Sequence, residues 1–184
     1  MQRDLVERAM TGDHGAFSEL ARTSIGRLFV VAHLILADRA AAEDATQEAL
    51  VAAWRHIHGL RDPERFDGWL HRLLVNACYR EAGRNQRRRS FEVHVENIDT
   101  PEPDLAELSL DRDQLERGFR RLDADQRAVL VLHYYLGLRL DEAAEVLGLP
   151  PGTVRSRLHR ATRAMRAALD ADARTGPLGE GGAA

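Results

Sequence analysis

The chain has no lysine; all 26 of its basic residues are arginine. Arginines far from any basic cluster share this bias, so coding preference explains it better than selection for forked hydrogen bonding. Cys78 is the one cysteine, which excludes an internal disulfide and any multi-cysteine zinc site and fits a reducing cytoplasm. Long apolar runs are also missing: the longest, Leu28 to Ala37, is broken by His33 and falls well short of the roughly 20 residues that a membrane-spanning helix needs. The opening stretch MQRDLVERAM is amphipathic and charged, without the apolar core of a secretory signal. Eight histidines are scattered along the chain, and the His56-x-His58 pair has no carboxylates nearby in a ligand pattern. No catalytic, metal or cofactor site is therefore expected.

What is present is a helical pattern with unevenly placed charge. The 184 residues, 44% apolar and 30% charged, suffice for one or two small cores. The net charge of -3 hides a partition: residues 1–89 carry +2, residues 90–113 carry -7 and residues 114–175 carry +3. The acidic strip, with Pro101 and Pro103 and little helical periodicity in its first half, reads as a linker. The Gly- and Ala-rich end from Thr175 reads as a disordered tail.

The first half reads as helices throughout. Gly12 ends a short opening helix and Asp13 can cap the next, whose apolar positions include Phe17, Leu20, Leu28, Ala32 and Ile35. A third helix, from about Ala40 to Ile57, buries Ala45, Ala49, Leu50 and Ala53. It displays Asp44, Gln47, Glu48, Val51 and Arg55 on its opposite face. A fourth, from about Pro63 to Arg89, turns Leu70, Leu73, Leu74, Ala77 and Cys78 inward and gathers Arg72, Asn76, Arg80 and Arg87 on the other side, with Arg84 nearby. Such a basic stripe can neutralise phosphates, and Asn76 within it suits a base edge.

In the second half, Leu140 to Arg166 reads as a helix-turn-helix. Ala144, Gly148 and Val154 supply the small contact, the turn glycine and the apolar plug, while Pro150 and Pro151 stop one helix and start the next. Val154, Leu158, Ala161 and Met165 form an inward stripe. Arg155, Ser156, His159, Arg160, Arg163 and Arg166 point outward, with no acid among them. A solvated amphipathic helix is the alternative, and the turn chemistry argues against it. An autonomous repressor or activator would need a sensor or dimerisation domain, whereas the first half offers a second basic helix and a polar stripe.

The stretches AEDATQEALVAAW and FDGWLHRLLVNACYREAGRNQRRR, followed by the acidic strip and the helix-turn-helix, together resemble the extracytoplasmic-function (ECF, group IV) sigma factors of the sigma-70 family, from Leu5 to about Leu169. The resemblance implies an all-α fold of two small domains: region 2 over 1–89, an acidic flexible linker over 90–112, region 4 over 113–172 and a tail over 173–184. It implies a non-catalytic, cytoplasmic initiation subunit whose partners are the RNA polymerase core (beta-prime clamp helices and beta flap), promoter DNA and a separate anti-sigma protein. Asp44, Gln47, Glu48, Val51 and Arg55 match the clamp-binding segment. Leu60, Arg61, Asp62, Trp69, Arg72, Asn76, Arg80, Arg84 and Arg87 match the reader of the downstream (-10) element, where a base is flipped out of the stack. Thr153, Arg155, Ser156, Arg157, His159, Arg160 and Arg163 match the reader of the upstream (-35) element. The acidic linker is implied to run along the polymerase's basic RNA-exit path. Two positions depart from the family: Leu60 stands where an aromatic residue is common, and Arg139 stands where Ser or Thr usually caps. Asp141 is the expected substitute cap.

Overall fold

The computed structural model describes residues 2–91 and 110–175, and every regular element among them is helical. In the first half, α1 (Gln2–Met10) leads into α2 (His14–Leu36), α3 (Arg39–His56) and α4 (Phe66–Phe91). Asp13 caps α2 as expected: the Ala16 N–H donates to its carboxylate at 3.0 Å. That bond, followed by the Arg8 guanidinium, holds the Asp13 carboxyl below the usual carboxylate range. Asp38 does the same for α3 through the Ala41 N–H at 2.8 Å.

Helix α3 is narrow on its inner side. Ala41, Ala42, Ala45, Ala49 and Ala53 are buried there with Thr46, whose hydroxyl donates to the Ala42 carbonyl, so α2 and α4 approach closely on either flank. The fourth helix starts later than its periodicity predicts. Pro63–Arg65 form a 3-10 turn held by Asp62, which accepts the Glu64 N–H at 3.0 Å, and the α-helix begins at Phe66. Its inner face contains Leu70, Leu74, Ala77 and Cys78 as expected, and also Val75. A single-sided stripe omits Val75 because α4 is packed by α2, α3, α6 and α7 together.

The second half comprises α5 (Leu110–Arg120), α6 (Ala124–Leu130), a π-helical turn (Val131–Tyr135), α7 (Leu140–Leu147) and α8 (Pro151–Thr175). Asp123 and Gln126 exchange side-chain-to-backbone bonds at the start of α6, a reciprocal cap that satisfies two donors. Gly118 is buried where α5 crosses α8. A Cβ there would come within 3.3 Å of Met165, so glycine sets that spacing.

Two expected boundaries move. Helix α4 continues to Phe91 and α5 begins at Leu110, so the ends of the segment predicted as linker (90–112) are helical; its middle, 92–109, lies outside the described residues. Helix α8 continues to Thr175, so 173–175 are helical, and the remainder of the predicted tail also lies outside.

The larger difference concerns the two halves. The sequence allows one or two small cores, and the two helical halves that the resemblance implies are in contact: α4 packs on α7 and α6, α2 packs on α6, and buried residues of both halves form one cluster. Helical periodicity reports which face of a helix is apolar and not which helix covers it.

Candidate nucleic-acid and polymerase surfaces

The helix-turn-helix forms as its turn residues dictate. Gly148 takes a left-handed φ of 66° after α7, and the Leu149 N–H reaches back to the Ala144 carbonyl at 3.1 Å. The Pro150 carbonyl then accepts the N–H groups of Thr153 and Val154 at 2.9 and 3.1 Å, so α8 starts with Pro151 at a position that needs no donor. Val154 and Ala161 are fully buried, which fixes the rotation of α8 and turns Arg155, Ser156, His159, Arg160 and Arg163 outward. The Ser156 hydroxyl donates to the Thr153 carbonyl at 2.9 Å, leaving its oxygen free to accept.

The exposed arginines differ in their pairing. Arg3, Arg22, Arg39 and Arg120 each pair with an acid on their own helix, Arg139 pairs with Asp141 at the start of α7, and Arg27, Arg65 and Arg80 pair with acids on other elements. Arg155, Arg160 and Arg163 on α8 and Arg61, Arg72 and Arg87 around α4 make no ion pair or hydrogen bond with the described residues. Arg55 on α3 is unpaired as well; the unpaired guanidiniums along α8 form a field that an exposed polyanion can enter without first breaking a salt bridge.

Several expected site residues sit differently. Arg157 is not with the outward set: its side chain is 19% exposed, its guanidinium lies 3.2 Å from Asp125, and it donates to the Tyr79 hydroxyl at 3.4 Å. Leu60 is buried at 8% exposure, so its side chain fills the core and cannot act as a base contact. Asp141 does not cap α7. Its carboxylate is taken by the Arg139 guanidinium at 2.6 Å, while the helix start is closed by Glu142, which accepts the Arg139 N–H at 2.8 Å. Thr153 and Trp69 are half-buried, and Trp69 leans on Phe66 with ring centroids 6.0 Å apart. Asn76, Arg72 and Arg87 are exposed on one side of α4. Arg80 and Arg84, also exposed, are held by Glu48 and Glu81 respectively.

On α3, Asp44, Gln47, Val51 and Arg55 are exposed as predicted. Glu48 is half-buried and accepts from Arg80 at 3.0 Å, so it couples this face to α4. Beside the stripe lies a groove of about 700 Å³, lined by Phe17, Ile25, Phe29, Leu50, Val51 and Trp54.

The Sigma-70 region 2 family matches residues 20–88, and the Sigma-70, region 4 family matches residues 112–165. The ECF RNA polymerase sigma factor SigL of Mycobacterium tuberculosis is 38% identical over 72% of this chain and 76% of its own length. The RNA polymerase sigma-H factor of Pseudomonas aeruginosa is 31% identical over 91% and 93%. The chain belongs to the ECF family of RNA polymerase sigma factors. Its fold is similar to that of RpoE from Bartonella quintana, solved with the anti-sigma factor NepR (TM-score 0.68, 26% identity, 85% of this chain and 98% of that one). CnrH, solved with the cytosolic domain of CnrY, is also similar (TM-score 0.64, 28% identity, 93% and 98%). As a sigma factor the protein is a non-catalytic initiation subunit that directs RNA polymerase to promoters. No helix among its described residues is long and apolar enough to cross a membrane.

Sequence reasoning about this sigma factor missed the α2 side of the groove. Ile25 is 50% exposed, and an isoleucine off the inward stripe of α2 was the available signal. Cys78, at the centre of the first half, is fully buried, and burial pushes its thiol up to about 12. Reactivity requires thiolate. The native sigma factor should therefore leave Cys78 unmodified by a thiol-specific reagent at neutral pH and label it only on unfolding, as a colorimetric thiol assay in and out of denaturant would register. Prompt labelling of the native chain would contradict the packing of α4.

Proposed function

We propose that three faces divide the work of this sigma factor. The outer face of α8, with Thr153, Arg155, Ser156, His159, Arg160 and Arg163, reads the -35 duplex. A helix about 10–12 Å across fits a major groove about 12 Å wide, where arginine can fork onto guanine O6 and N7. The outer face of α4, with Arg72, Asn76, Arg80, Arg84 and Arg87, acts on the -10 element together with Arg61, Asp62 and Trp69. The α3 stripe of Asp44, Gln47, Glu48, Val51 and Arg55 docks on the polymerase core, with Ile25 and Phe29 extending it across the groove.

The observation that supports this reading best is the row of unpaired guanidiniums on the outer face of α8, Arg155, Arg160 and Arg163, with no acid among them. The protein acts in the cytoplasm, where an anti-sigma protein covers its polymerase-binding faces, and the acidic segment serves as the tether between regions 2 and 4. A charge placed in the apolar part of the α3 face tests the division of labour. Val51→Asp should lower affinity for purified core polymerase by about tenfold or more, as expected for a residue inside a desolvated interface. Thermal stability should stay unchanged, because Val51 is already 42% exposed. Unaltered core binding would remove α3 from the interface.

A further inference from the structure

The stretch that carries Arg61 and Asp62 is anchored from within. Ile57 is fully buried and Leu60 is 8% exposed, and the Leu60 N–H donates to the Ile57 carbonyl at 3.0 Å, closing a 3-10 turn over Ile57–Gly59. Arg61 and Asp62, between that turn and the one at Pro63–Arg65, are exposed. A chain held only at its ends keeps torsional freedom between them, and freedom that is lost on binding costs affinity.

Helix α1 supplies an outer wall to this stretch. Its nine residues are too few for a helix to persist alone in water, so α1 exists through its packing: Val6 and Ala9 are fully buried, and the helix lies against both 3-10 turns. The last carbonyls of an α-helix lack intrahelical partners. Those of Arg8 and Ala9 are taken by N–H groups that follow in the chain, whereas that of Met10 accepts from His58 Nδ1 at 2.7 Å. A carbonyl can only accept, so Nδ1 carries the proton in this bond. At the other end of α1, Arg3 bridges Glu7 of its own helix, at 2.9 Å, to Glu64, at 3.3 Å. The Glu64 N–H in turn donates to the Asp62 carboxylate at 3.0 Å. Gln2 donates to Asp67 at 3.0 Å, two residues before Trp69.

We propose that α1 is the positioning element of the -10 reader, with Arg3 and His58 as positioning residues that fix the segment 57–65 so that Arg61 and Asp62 meet an extruded base in one orientation. This rests on the assignment of that segment to the -10 element. Arg3 acts on Asp62 through Glu64, and His58 ties the first turn of the segment to the end of α1. Both side chains are exposed, and polar bonds in water add little to stability, so their removal loosens the segment without unfolding the domain. Recognition is the more sensitive property, because groups that bind a ligand productively must be held within about 0.5 Å.

Initiation by the holoenzyme on a promoter that the wild-type protein uses, and on copies with single substitutions in the -10 element, measures discrimination position by position. Arg61→Ala marks the position that the segment reads. At that position Arg3→Ala/His58→Ala should lower discrimination by about fivefold or more, with Tm, core affinity and discrimination within the -35 element unchanged. Arg3→Lys/His58→Gln, which keeps a cation for Glu64 and an N–H donor for Met10, should restore it. Wild-type discrimination in Arg3→Ala/His58→Ala, where Arg61→Ala has lost it, overturns the proposal. So does a loss accompanied by a lower Tm, since α1 would then be a structural support alone. If Arg61→Ala discriminates like the wild type at every position, the assignment of the segment to the -10 element is what has failed, and the proposal falls with it.

Discussion

Arg155→Ala and Arg160→Ala should each reduce initiation from -35-dependent promoters by about five- to 150-fold, the equivalent of about 1–3 kcal/mol for each forked arginine–base pairing that is removed. Core affinity should not change. Both side chains stand exposed on α8 without a partner among the described residues, so their removal breaks no internal bond and leaves the fold intact. Transcription from promoters with single -35 substitutions, measured over a range of salt, separates the two modes of DNA binding. Without a base-reading arginine, discrimination relaxes at one position; without a phosphate-binding arginine, every sequence binds more weakly alike and the salt slope falls by about one. Wild-type output from both variants at every salt concentration would exclude α8 as the reader. Arg157→Ala should behave differently, because its guanidinium is already bonded to Asp125 and Tyr79: part of its effect should appear in the stability of the free protein.

Leu74→Ala should destabilise the protein by about 2–5 kcal/mol, the range for deleting a fully buried leucine side chain without collapse of the cavity. Leu74 is wholly buried on α4, the helix that contacts both neighbours in its own half and α6 and α7 of the other. A loss of that size corresponds to a fall in Tm of about 5–20 °C for a chain of this length. The shape of the transition is as informative as its midpoint. One continuous apolar cluster joins the halves, so calorimetry should show a single shifted transition. Two resolved transitions, with the second unmoved, would mean that the halves unfold independently.

The sequence was most legible where one short stretch decides the structure. Asp13 and Gly148 act on backbone groups within three or four residues, and the outward set on α8 follows from a spacing of 3.6 residues once Val154 is placed inward. Legibility failed where a distant element decides. Arg127 is an ordinary charge on a short helix until it meets carbonyls 91 and 92 positions away. Leu60 resembles a surface loop residue until it is seen filling the core, and Arg157, matched to the reader of the upstream element, is instead taken up by Asp125 and by Tyr79 of α4. The candidate surfaces were therefore readable as compositions of single helices, while the arrangement that presses two of them together was not.

The alanine face of α3 also constrains how this sigma factor can vary. The inward row Ala41, Ala42, Ala45, Ala49 and Ala53 interleaves with the outward row Asp44, Gln47, Val51 and Arg55 on one uninterrupted helix. Inserting or deleting a single residue after Thr46 would rotate everything beyond it by about 100°, driving Gln47 or Arg55 toward α2 and α4 and carrying Ala49 out to solvent. Point changes on the outer row leave the packing untouched, so the face can be retuned freely by substitution. Changes in length have no such freedom: in α3 the phase of the helix is shared property, and neither row can be reset without the other.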